Sequence, residues 1–208
     1  MNKSSCWYQW IFEAFEHSWV FNLNQIVLDP GKTRQIQRFL NGVPYRSTID
    51  IGCGTGNWAK FGRDQYLGID SSPSFIAACR RRYHGDSAKS FIEADAGSLI
   101  LTQRYDLTIL ISVLHHLADD EALRLTAWVA RNTRYFFIFD LYPVRWNPLS
   151  RLLYALDRGN YIREPSVQKQ LILREPHLQL VKEDSYYSPN GLYRHSLFLF
   201  ESSASQGN

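Results

Sequence analysis

Residues 48–57 read Thr-Ile-Asp-Ile-Gly-Cys-Gly-Thr-Gly-Asn, an apolar strand that runs into three glycines at alternate positions. Glycine is needed where the backbone turns sharply and a ligand lies against it, because a Cβ atom would collide. A glycine loop after the first strand of an open α/β sheet lies at the carboxyl edge, where such sheets bind ligands. The stretch therefore predicts a ligand site built on the backbone of Gly52, Gly54 and Gly56.

The spacing of these glycines separates two classes of ligand. A dinucleotide fingerprint has the pattern Gly-x-Gly-x-x-Gly and places a pyrophosphate at a helix N-terminus, whereas here the third glycine comes one residue earlier. Asp50 stands two residues before the first glycine, and a carboxylate there suits a positively charged amino group better than two phosphates. The loop therefore favours a ligand with an amino group over a dinucleotide.

Two further acids follow the next two predicted strands. Asp70 ends the second strand, and an acid at that place can bind both hydroxyls of a ribose. Asp95 follows the third strand at the same sheet edge, and its natural target is the exocyclic amine of an adenine. Either carboxylate could instead cap a helix that starts beside it, as Asp70 could at Ser71-Ser72-Pro73.

The chain beyond residue 47 alternates short apolar runs with helical stretches. Strand and helix in alternation predict a parallel sheet with crossover helices. Strands are predicted at residues 48–51, 66–69, 90–93, 107–112 and 135–139, and helices at 58–62, 73–83 and 119–132. Two late runs, 178–187 and 193–200, flank an Asn-Gly pair and predict an antiparallel hairpin.

Four motifs stand in order along residues 45–140: Asp-Ile-Gly-Cys-Gly-Thr-Gly, Gly-Ile-Asp, Glu-Ala-Asp-Ala and Tyr-Asp-Leu-Thr-Ile-Leu-Ile-Ser-Val-Leu-His-His-Leu. On these motifs the chain resembles the class I S-adenosylmethionine-dependent methyltransferases. The resemblance implies a Rossmann-like α/β fold, with a seven-stranded, mostly parallel sheet in the order 3-2-1-4-5-7-6. Strand 7 would be antiparallel, helices would cover both faces, and the cofactor would be S-adenosyl-L-methionine.

The resemblance also implies a role for each motif. The glycine loop would pack against the methionine part of the cofactor, with Asp50 near its amino group. Asp70, with the neighbouring Ser71, would take the ribose hydroxyls. Asp95, with the backbone amide of Ala96, would take the adenine.

The ends of the fourth and fifth strands supply the remaining candidates. Ser112 ends the fourth strand and would lie beside the cofactor, as the resemblance implies. His115 and His116 follow it, and an imidazole there could accept a hydroxyl proton because it titrates near neutral pH. The resemblance favours His116 as the catalytic residue, and a histidine that only caps the turn is the alternative. Asp140 and Tyr142 end the fifth strand, where Asp140 could be catalytic or structural and Tyr142 could line the acceptor pocket.

Missing motifs narrow the choice of acceptor. After the fourth strand the chain has Ile-Ser-Val-Leu, where adenine or cytosine amino-methylases have Asn/Asp-Pro-Pro-Tyr and cytosine-C5 methylases have Pro-Cys. The net charge of +3 does not make the clustered basic face of a nucleic-acid binder. We therefore predict a small-molecule or lipid-linked acceptor and no nucleic-acid partner. Arg158 and Arg163 could clamp a carboxylate or phosphate of that acceptor, or lie on a solvated face.

The 208 residues predict one methyltransferase domain. Its predicted parts are an aromatic N-terminal helical cap at 1–46, the cofactor-binding core at 47–142, an acceptor-side insertion at 143–176 and a C-terminal β-hairpin at 177–201. In the cap, Trp7, Ile11 and Phe15 would form one helix face, as a core cap or as a lid over the acceptor. Three cysteines without a Cys-x-x-Cys pair, and no apolar run long enough to span a bilayer, predict a cytoplasmic protein without an integral membrane segment. No metal site is predicted.

The predicted reaction is displacement at the methyl group of the sulfonium, in line with the methyl–sulfur bond. Two alternatives belong to other classes of protein. The first is a cofactor-binding but non-catalytic partner protein, and the second is an NAD(P)-dependent oxidoreductase on a similar sheet. The sequence favours no particular methylated atom and no particular oligomeric state.

Overall fold

The computed structural model describes residues 31–142, 144, 146–156 and 160–204 of the chain. The N-terminal helix predicted around Trp7, Ile11 and Phe15 lies outside the described residues, and so does Arg158. The description of the predicted cap therefore begins at Gly31.

Seven strands form one sheet. They are β1 (Ser47–Ile51), β2 (Gln65–Asp70), β3 (Lys89–Glu93), β4 (Tyr105–Ile111), β5 (Thr133–Leu141), β6 (Leu178–Tyr187) and β7 (Arg194–Ser202). Their order across the sheet is β3-β2-β1-β4-β5-β7-β6. The first five strands pair in parallel, and β7 runs antiparallel to both β5 and β6. The structure thus confirms the predicted sheet order and the antiparallel seventh strand.

Helices cover both faces of this sheet, as predicted. They are α1 (Lys32–Leu40), α2 (Pro73–Arg82), α3 (Asp119–Asn132), α4 (Pro148–Leu156) and α5 (Pro165–Ile172). One face packs against α3 and α5 through side chains such as Val129 and Ile172, and the other against α1 through Ile36 and Phe39. Within the described part of the chain, no helix is long and apolar enough to cross a bilayer.

The central strands β4 and β5 are apolar on both faces. In β4, Leu107 and Ile109 belong to the cluster on the α1 side, whereas Leu110 belongs to the cluster on the α3 side. A parallel strand covered by helices on both faces needs such a continuous apolar run. The tight packing makes the carboxyl ends of β4 and β5 a fixed platform for the residues that follow them.

The helix predicted at residues 58–62 is instead a single 3₁₀ turn, Ala59–Phe61. The stretch lies between Gly56 and Gly62 and is too short to nucleate an α-helix. Trp58 and Phe61 stack with their ring centroids 6.0 Å apart and are buried in the cluster on the α1 side. The turn therefore closes this face of the sheet beside the glycine loop.

The C-terminal hairpin is present as predicted. Residues 188–193 join β6 to β7, and the backbone N–H of Ser188 donates to the Tyr193 carbonyl at 2.9 Å. Gly191 has a φ of +70°, a conformation that side chains disfavour. The Asn-Gly pair at 190–191 thus indicated the turn for a physical reason.

Candidate active site

The glycine loop follows β1 and is held against β2. The backbone N–H of Gly52 donates to the Ile69 carbonyl at 2.8 Å. Gly52, Gly54 and Gly56 have positive φ angles of +68°, +53° and +76°. At Gly52 a Cβ would lie 2.6 Å from Cγ2 of Val113, so the loop leaves no room for a side chain there.

Asp70, at the end of β2, ties this loop to the start of α2. Its Oδ2 accepts the Gly54 N–H at 2.8 Å, and its Oδ1 accepts the Ser72 N–H at 2.9 Å. The helix cap itself is Ser72, whose side chain accepts the Phe75 N–H. An ionised carboxylate has about four acceptor sites, so these two bonds leave capacity for the hydroxyls of a ribose. Ser71 lies exposed next to this carboxylate.

Asp50 is a fully buried carboxyl group directly before the glycine loop. The Tyr66 hydroxyl donates to its Oδ2, while its Oδ1 has no hydrogen-bond partner within the described part of the chain. Burial raises the pKa of Asp50 to about 7, with the Tyr66 hydrogen bond opposing the shift and the charge of Asp70 adding to it. A buried oxygen without a partner is costly, and a ligand donor is one way to satisfy it.

Asp95 is exposed and lies at the start of a 3₁₀ turn, Ala96–Ser98. Its Oδ1 accepts the Gly97 N–H at 3.1 Å, which makes the carboxylate the cap of that turn. Ala96 is buried beside it. A carboxylate that caps a turn still has acceptor sites for a further donor. The capping role is therefore compatible with an adenine contact of Asp95 and Ala96, which stays a prediction.

Ser112 directly follows β4 in a left-handed conformation, with a φ of +58°. Its hydroxyl accepts a hydrogen bond from the Lys32 ammonium at 2.7 Å. Lys32 is buried, and its Nζ lies 5.2 Å from the Trp58 ring centroid and 5.0 Å from that of Phe139. Sequence reasoning missed this lysine, since nothing in a helix upstream of β1 indicates that its first residue reaches the end of β4.

Asp140, buried at the end of β5, binds His115 through both carboxylate oxygens. Oδ2 accepts the backbone N–H of His115 at 3.0 Å, and Oδ1 forms a hydrogen bond with His115 Nδ1. Oδ1 also accepts the Leu141 N–H at 2.6 Å. Asp140 therefore fixes the imidazole together with the 3₁₀ turn that carries it, Leu114–His116.

His116 occupies the other side of that turn. It is exposed, whereas His115 is buried, and their ring centroids are 4.2 Å apart. The buried ring of His115 therefore packs against the exposed ring of His116. Of the two predicted catalytic histidines, His116 is the one whose side chain is accessible to an acceptor.

A third histidine, His195, lies in the same region and was not predicted. It belongs to β7, is buried, and has its ring centroid 4.4 Å from that of Phe139. Burial holds the pKa of His195 well below its usual value, and the charges of Lys32 and His115 act in the same direction. The ring is therefore neutral at physiological pH. In a strand buried on both faces, sequence periodicity gives no signal for such a residue.

Arg163 lies in the insertion and binds the histidine turn. Its guanidinium donates to Oδ1 of Asp119 from Nε and Nη2, at 3.0 and 2.7 Å. It also donates to the carbonyl oxygens of Leu114, Tyr161 and Leu117, at 3.2, 3.0 and 2.7 Å. A guanidinium has five N–H donors, and these five bonds use all of them. No donor of Arg163 remains to clamp an acceptor carboxylate or phosphate in this conformation.

Tyr142, the other predicted acceptor residue, packs inside the protein. It is buried, and the guanidinium carbon of Arg194 lies 4.5 Å from its ring centroid. Its carbonyl accepts a hydrogen bond from the Tyr154 hydroxyl of α4 at 3.0 Å. The insertion is therefore anchored directly to the end of β5, next to Asp140.

The region from β1 through α3 matches a known family. Residues 49–131 match the methyltransferase domain family. With this match, the sheet order and the glycine loop followed by acids, this part of the chain is similar to S-adenosylmethionine-dependent methyltransferases. S-adenosyl-L-methionine is the cofactor of that family.

Two curated relatives are trans-aconitate 2-methyltransferases. The one from Rhizobium etli is 35% identical over 96 residues, which are 42% of this chain and 36% of the relative. The one from Rhizobium leguminosarum bv. trifolii is 33% identical over 102 residues, 45% of this chain and 39% of the relative. The matched region thus spans little more than a third of each relative's length.

Solved structures share the fold over most of the chain. The protein described as a methyltransferase in complex with the Haloferax volcanii Trm112 methyltransferase activator has a TM-score of 0.73 at 14% identity, covering 95% of this chain and 98% of that one. Magnesium protoporphyrin IX methyltransferase from Synechocystis with bound S-adenosylhomocysteine has a TM-score of 0.62 at 18% identity, covering 83% and 82%. The N-methyltransferase NodS from Bradyrhizobium japonicum, also with S-adenosylhomocysteine, has a TM-score of 0.66 at 13% identity, covering 83% and 85%.

The residues at the sheet edge fit the chemistry of this cofactor. Its methionine end carries an ammonium and a carboxylate, and its ribose carries two hydroxyls. The unpartnered Oδ1 of Asp50 suits the ammonium, the buried ammonium of Lys32 suits the carboxylate, and Asp70 has acceptor sites for the hydroxyls. The positive φ angles of the glycine loop leave its backbone open to close approach.

Proposed function

We propose that this chain transfers a methyl group from S-adenosyl-L-methionine to a small-molecule or lipid-linked acceptor by in-line displacement. The observation that carries the proposal is the buried Asp50 carboxyl, with one oxygen lacking a partner among the described residues, directly before a loop that admits no side chain. When bound, the cofactor supplies a methyl group already activated on a sulfonium. The chain then needs to align the acceptor and exclude water, and alignment alone contributes roughly 7–11 kcal/mol.

The two ends of the cofactor would be held by different elements. Asp50 of β1 would hold the amino group, and Lys32 of α1 the carboxylate, across the glycine loop. Asp70 and the adjacent Ser71 would bind the ribose, and Asp95 with the Ala96 amide would bind the adenine. Ser112, already bonded to Lys32, would lie beside the reacting sulfur. This assignment supports a cofactor that lies along the carboxyl ends of β1, β2 and β4.

Proton removal is assigned to His116. It is the exposed imidazole of the turn after β4, and an acceptor hydroxyl or amine must lose a proton during transfer. His115 and Asp140 would act as positioning residues, because their bond fixes the turn from the buried side. A general base at this place contributes about 10²–10⁴-fold in rate.

The names of the relatives bear on the acceptor. The two curated relatives are named for trans-aconitate, a small organic acid, and this supports a small-molecule acceptor. The lipid-linked alternative is supported by the exposed apolar side chains of the insertion, which follows β5 in the chain.

Calorimetry with S-adenosylhomocysteine tests the cofactor half of the proposal. We expect binding by the parent chain and at least a hundredfold loss for Asp70→Ala, since each hydrogen bond to a charged group contributes about 1.5–3 kcal/mol. Asp64→Ala, at an exposed carboxylate on a rim loop, is the matched control and should bind like the parent. No binding by the parent chain would refute the proposal.

A transfer assay tests the catalytic half. Radiolabelled S-adenosylmethionine is incubated with small carboxylic and hydroxy acids and with a bacterial lipid extract, and label in the products is counted. We expect label in one of these fractions. Where the labelled group is a hydroxyl or an amine, His116→Gln should lose the label without a change in cofactor affinity. Cofactor binding without transfer to any fraction would indicate the non-catalytic partner protein instead, and quenching of NADH fluorescence on mixing would indicate an oxidoreductase.

A further inference from the structure

Among the side chains of α4 that the structure describes, two leucines lie on the outer face, and Ser150 and Tyr154 lie on the inner face. Leu149 and Leu152 are 51% and 55% exposed, whereas Ser150 is fully buried. Tyr154 lies one turn after Ser150. Its hydroxyl accepts a hydrogen bond from the backbone N–H of Arg194 and donates one to the carbonyl of Tyr142, directly after β5. A surface helix of a globular domain normally has the opposite pattern. The described part of α4 inverts this pattern, so its exposed leucines suit an apolar partner surface.

The exposed apolar surface continues beyond the helix. Trp146 is 68% exposed, and its ring stacks on that of Tyr187 with centroids 6.4 Å apart. Tyr187 is itself 40% exposed at the end of β6. We call Trp146, Leu149, Leu152 and Tyr187 the α4 patch. Because Tyr154 anchors the helix and Tyr187 supports the tryptophan, the patch is a fixed feature of the fold.

Basic residues accompany the α4 patch, two of them in the described structure and two more in the flanking sequence. Residues 145–158 contain three arginines, at 145, 151 and 158, and a single acid, Asp157. Arg151 is exposed on α4, and the guanidinium carbon of Arg194 lies 5.1 Å from the Tyr187 ring centroid. Tryptophan and leucine on one face with arginine beside them is the composition of helices that lie in the interface of an anionic membrane.

The charge also decides between a membrane and a second copy of the chain. A symmetric dimer would place the α4 patch against itself, because a twofold interface uses the same surface on both subunits. Arg151 and Arg194 of one copy would then lie close to the same two arginines of the other. An anionic lipid surface has the complementary charge and accepts the apolar side chains among its acyl chains.

We propose that the α4 patch docks the protein on an anionic lipid bilayer. The leucines and the tryptophan insert at the level of the headgroups, and the arginines contact lipid phosphates. Through Tyr154 the docked helix is bonded to Tyr142, two residues beyond Asp140, so the docked surface is tied to the end of β5. That the acceptor is drawn from this surface rests on the proposed function, whereas the docking itself does not.

Vesicle co-sedimentation of the full chain tests the docking. The probes are vesicles of phosphatidylcholine alone and of phosphatidylcholine mixed with phosphatidylglycerol. We expect binding to the anionic vesicles, weakened by salt, and a drop of about tenfold or more for the triple variant Trp146→Ser, Leu149→Ser, Leu152→Ser. The matched control is Val167→Ser, Leu173→Ser, Val181→Ser, which removes three exposed apolar side chains elsewhere and should bind like the parent.

Three outcomes would overturn the docking: no sedimentation of the parent chain with anionic vesicles, an equal loss in the control variant, or conversion of a dimer to a monomer by the α4 variant in light scattering. The last result would assign the patch to a second copy. Calorimetry with S-adenosylhomocysteine on each variant shows that the site is folded. A parent chain that binds vesicles but not this ligand would refute the proposed function and leave the docking intact.

Discussion

The Asp140 carboxylate forms two hydrogen bonds with His115, one with its backbone N–H and one with its imidazole. Both groups belong to one residue, so the carboxylate sets the direction of the turn after β4 as well as the orientation of the ring. Since the carboxylate and the imidazole are both buried, neither partner can be replaced by water at little cost.

Removal of either partner should therefore destabilise the fold strongly. We expect Asp140→Ala to lower the free energy of unfolding by about 3–5 kcal/mol, as found when one member of a buried pair is lost. His115→Ala should have a smaller effect, and the double variant should lose less than the sum, because the partners share one interaction. Urea unfolding followed by circular dichroism measures this. Asp120→Ala, in an exposed pair with Arg124, should cost less than about 1 kcal/mol, and strictly additive losses at 115 and 140 would contradict the expected coupling.

The raised pKa of Asp50 predicts opposite pH effects on stability and on cofactor affinity. An unfolded aspartate titrates near pH 4, and the folded group titrates at about 7, so the folded state keeps the proton longer. The contribution of Asp50 to stability is therefore largest below about pH 4 and falls as the pH rises to about 7.

An ammonium beside Asp50 favours its ionised form, so cofactor binding should release a proton. We expect the affinity for S-adenosylhomocysteine to rise with pH up to about 7, by at most about tenfold per pH unit. Calorimetry in buffers of different ionisation enthalpy detects the proton. Asp50→Asn should show a flatter profile, and an unchanged pH slope in that variant would exclude Asp50 as the titrating group.

A methyl group at Gly52 should destabilise the fold by clashing with Val113. Gly52→Ala forces a left-handed alanine, which costs about 1–2 kcal/mol, and drives its Cβ against Val113 at 2.6 Å. Gly42→Ala is the matched control, since Gly42 has a similar φ of +81° and no atom within 4 Å of the added carbon. We expect Gly52→Ala to lose about 1–3 kcal/mol more than Gly42→Ala in urea unfolding. Adding Val113→Ala should restore part of that difference, and no restoration would show that the clash is relieved elsewhere.

Arg163 should act on the histidine turn and not on an acceptor charge. We expect Arg163→Gln to lower the free energy of unfolding by about 2–3 kcal/mol, because it leaves carbonyls of the turn without donors. Amide hydrogen exchange in residues 114–119 should become faster. Arg124→Gln, on the exposed side of α3, should change the stability by about 0.5 kcal/mol or less and leave that exchange unchanged. Unchanged exchange in Arg163→Gln would remove the argument for a positioning role.

The arrangement of the acids at the edge of the sheet could be predicted from the sequence because its signals are local. Each acid stands at the end of a short apolar run, and parallel strands bring those ends to one edge of the sheet. Asp50 and Asp70 lie on the neighbouring strands β1 and β2 as expected. The sheet order came with the family resemblance, and the hairpin from an Asn-Gly pair between two strand patterns.

The contacts of Lys32 and Arg163 could not be predicted in the same way because their partners are distant in sequence. The Lys32 ammonium reaches a hydroxyl 80 residues away. The Arg163 guanidinium binds carbonyls 46 and 49 residues away, so a side chain that suggested a ligand clamp is consumed within the protein. Such pairings depend on the position and orientation of the helices on the sheet. Composition and periodicity do not specify either one.

The five bonds of Arg163 also bear on how such a domain can diversify. A segment between β5 and β6 taken from a relative would hold the turn Leu114–His116 in place only if it brought an arginine of the same reach. Loss of that arginine would leave the turn without these hydrogen bonds. Natural variants of this segment should therefore change in step with residues 114–119, and recombinants that join them from different parents should fold poorly at that junction.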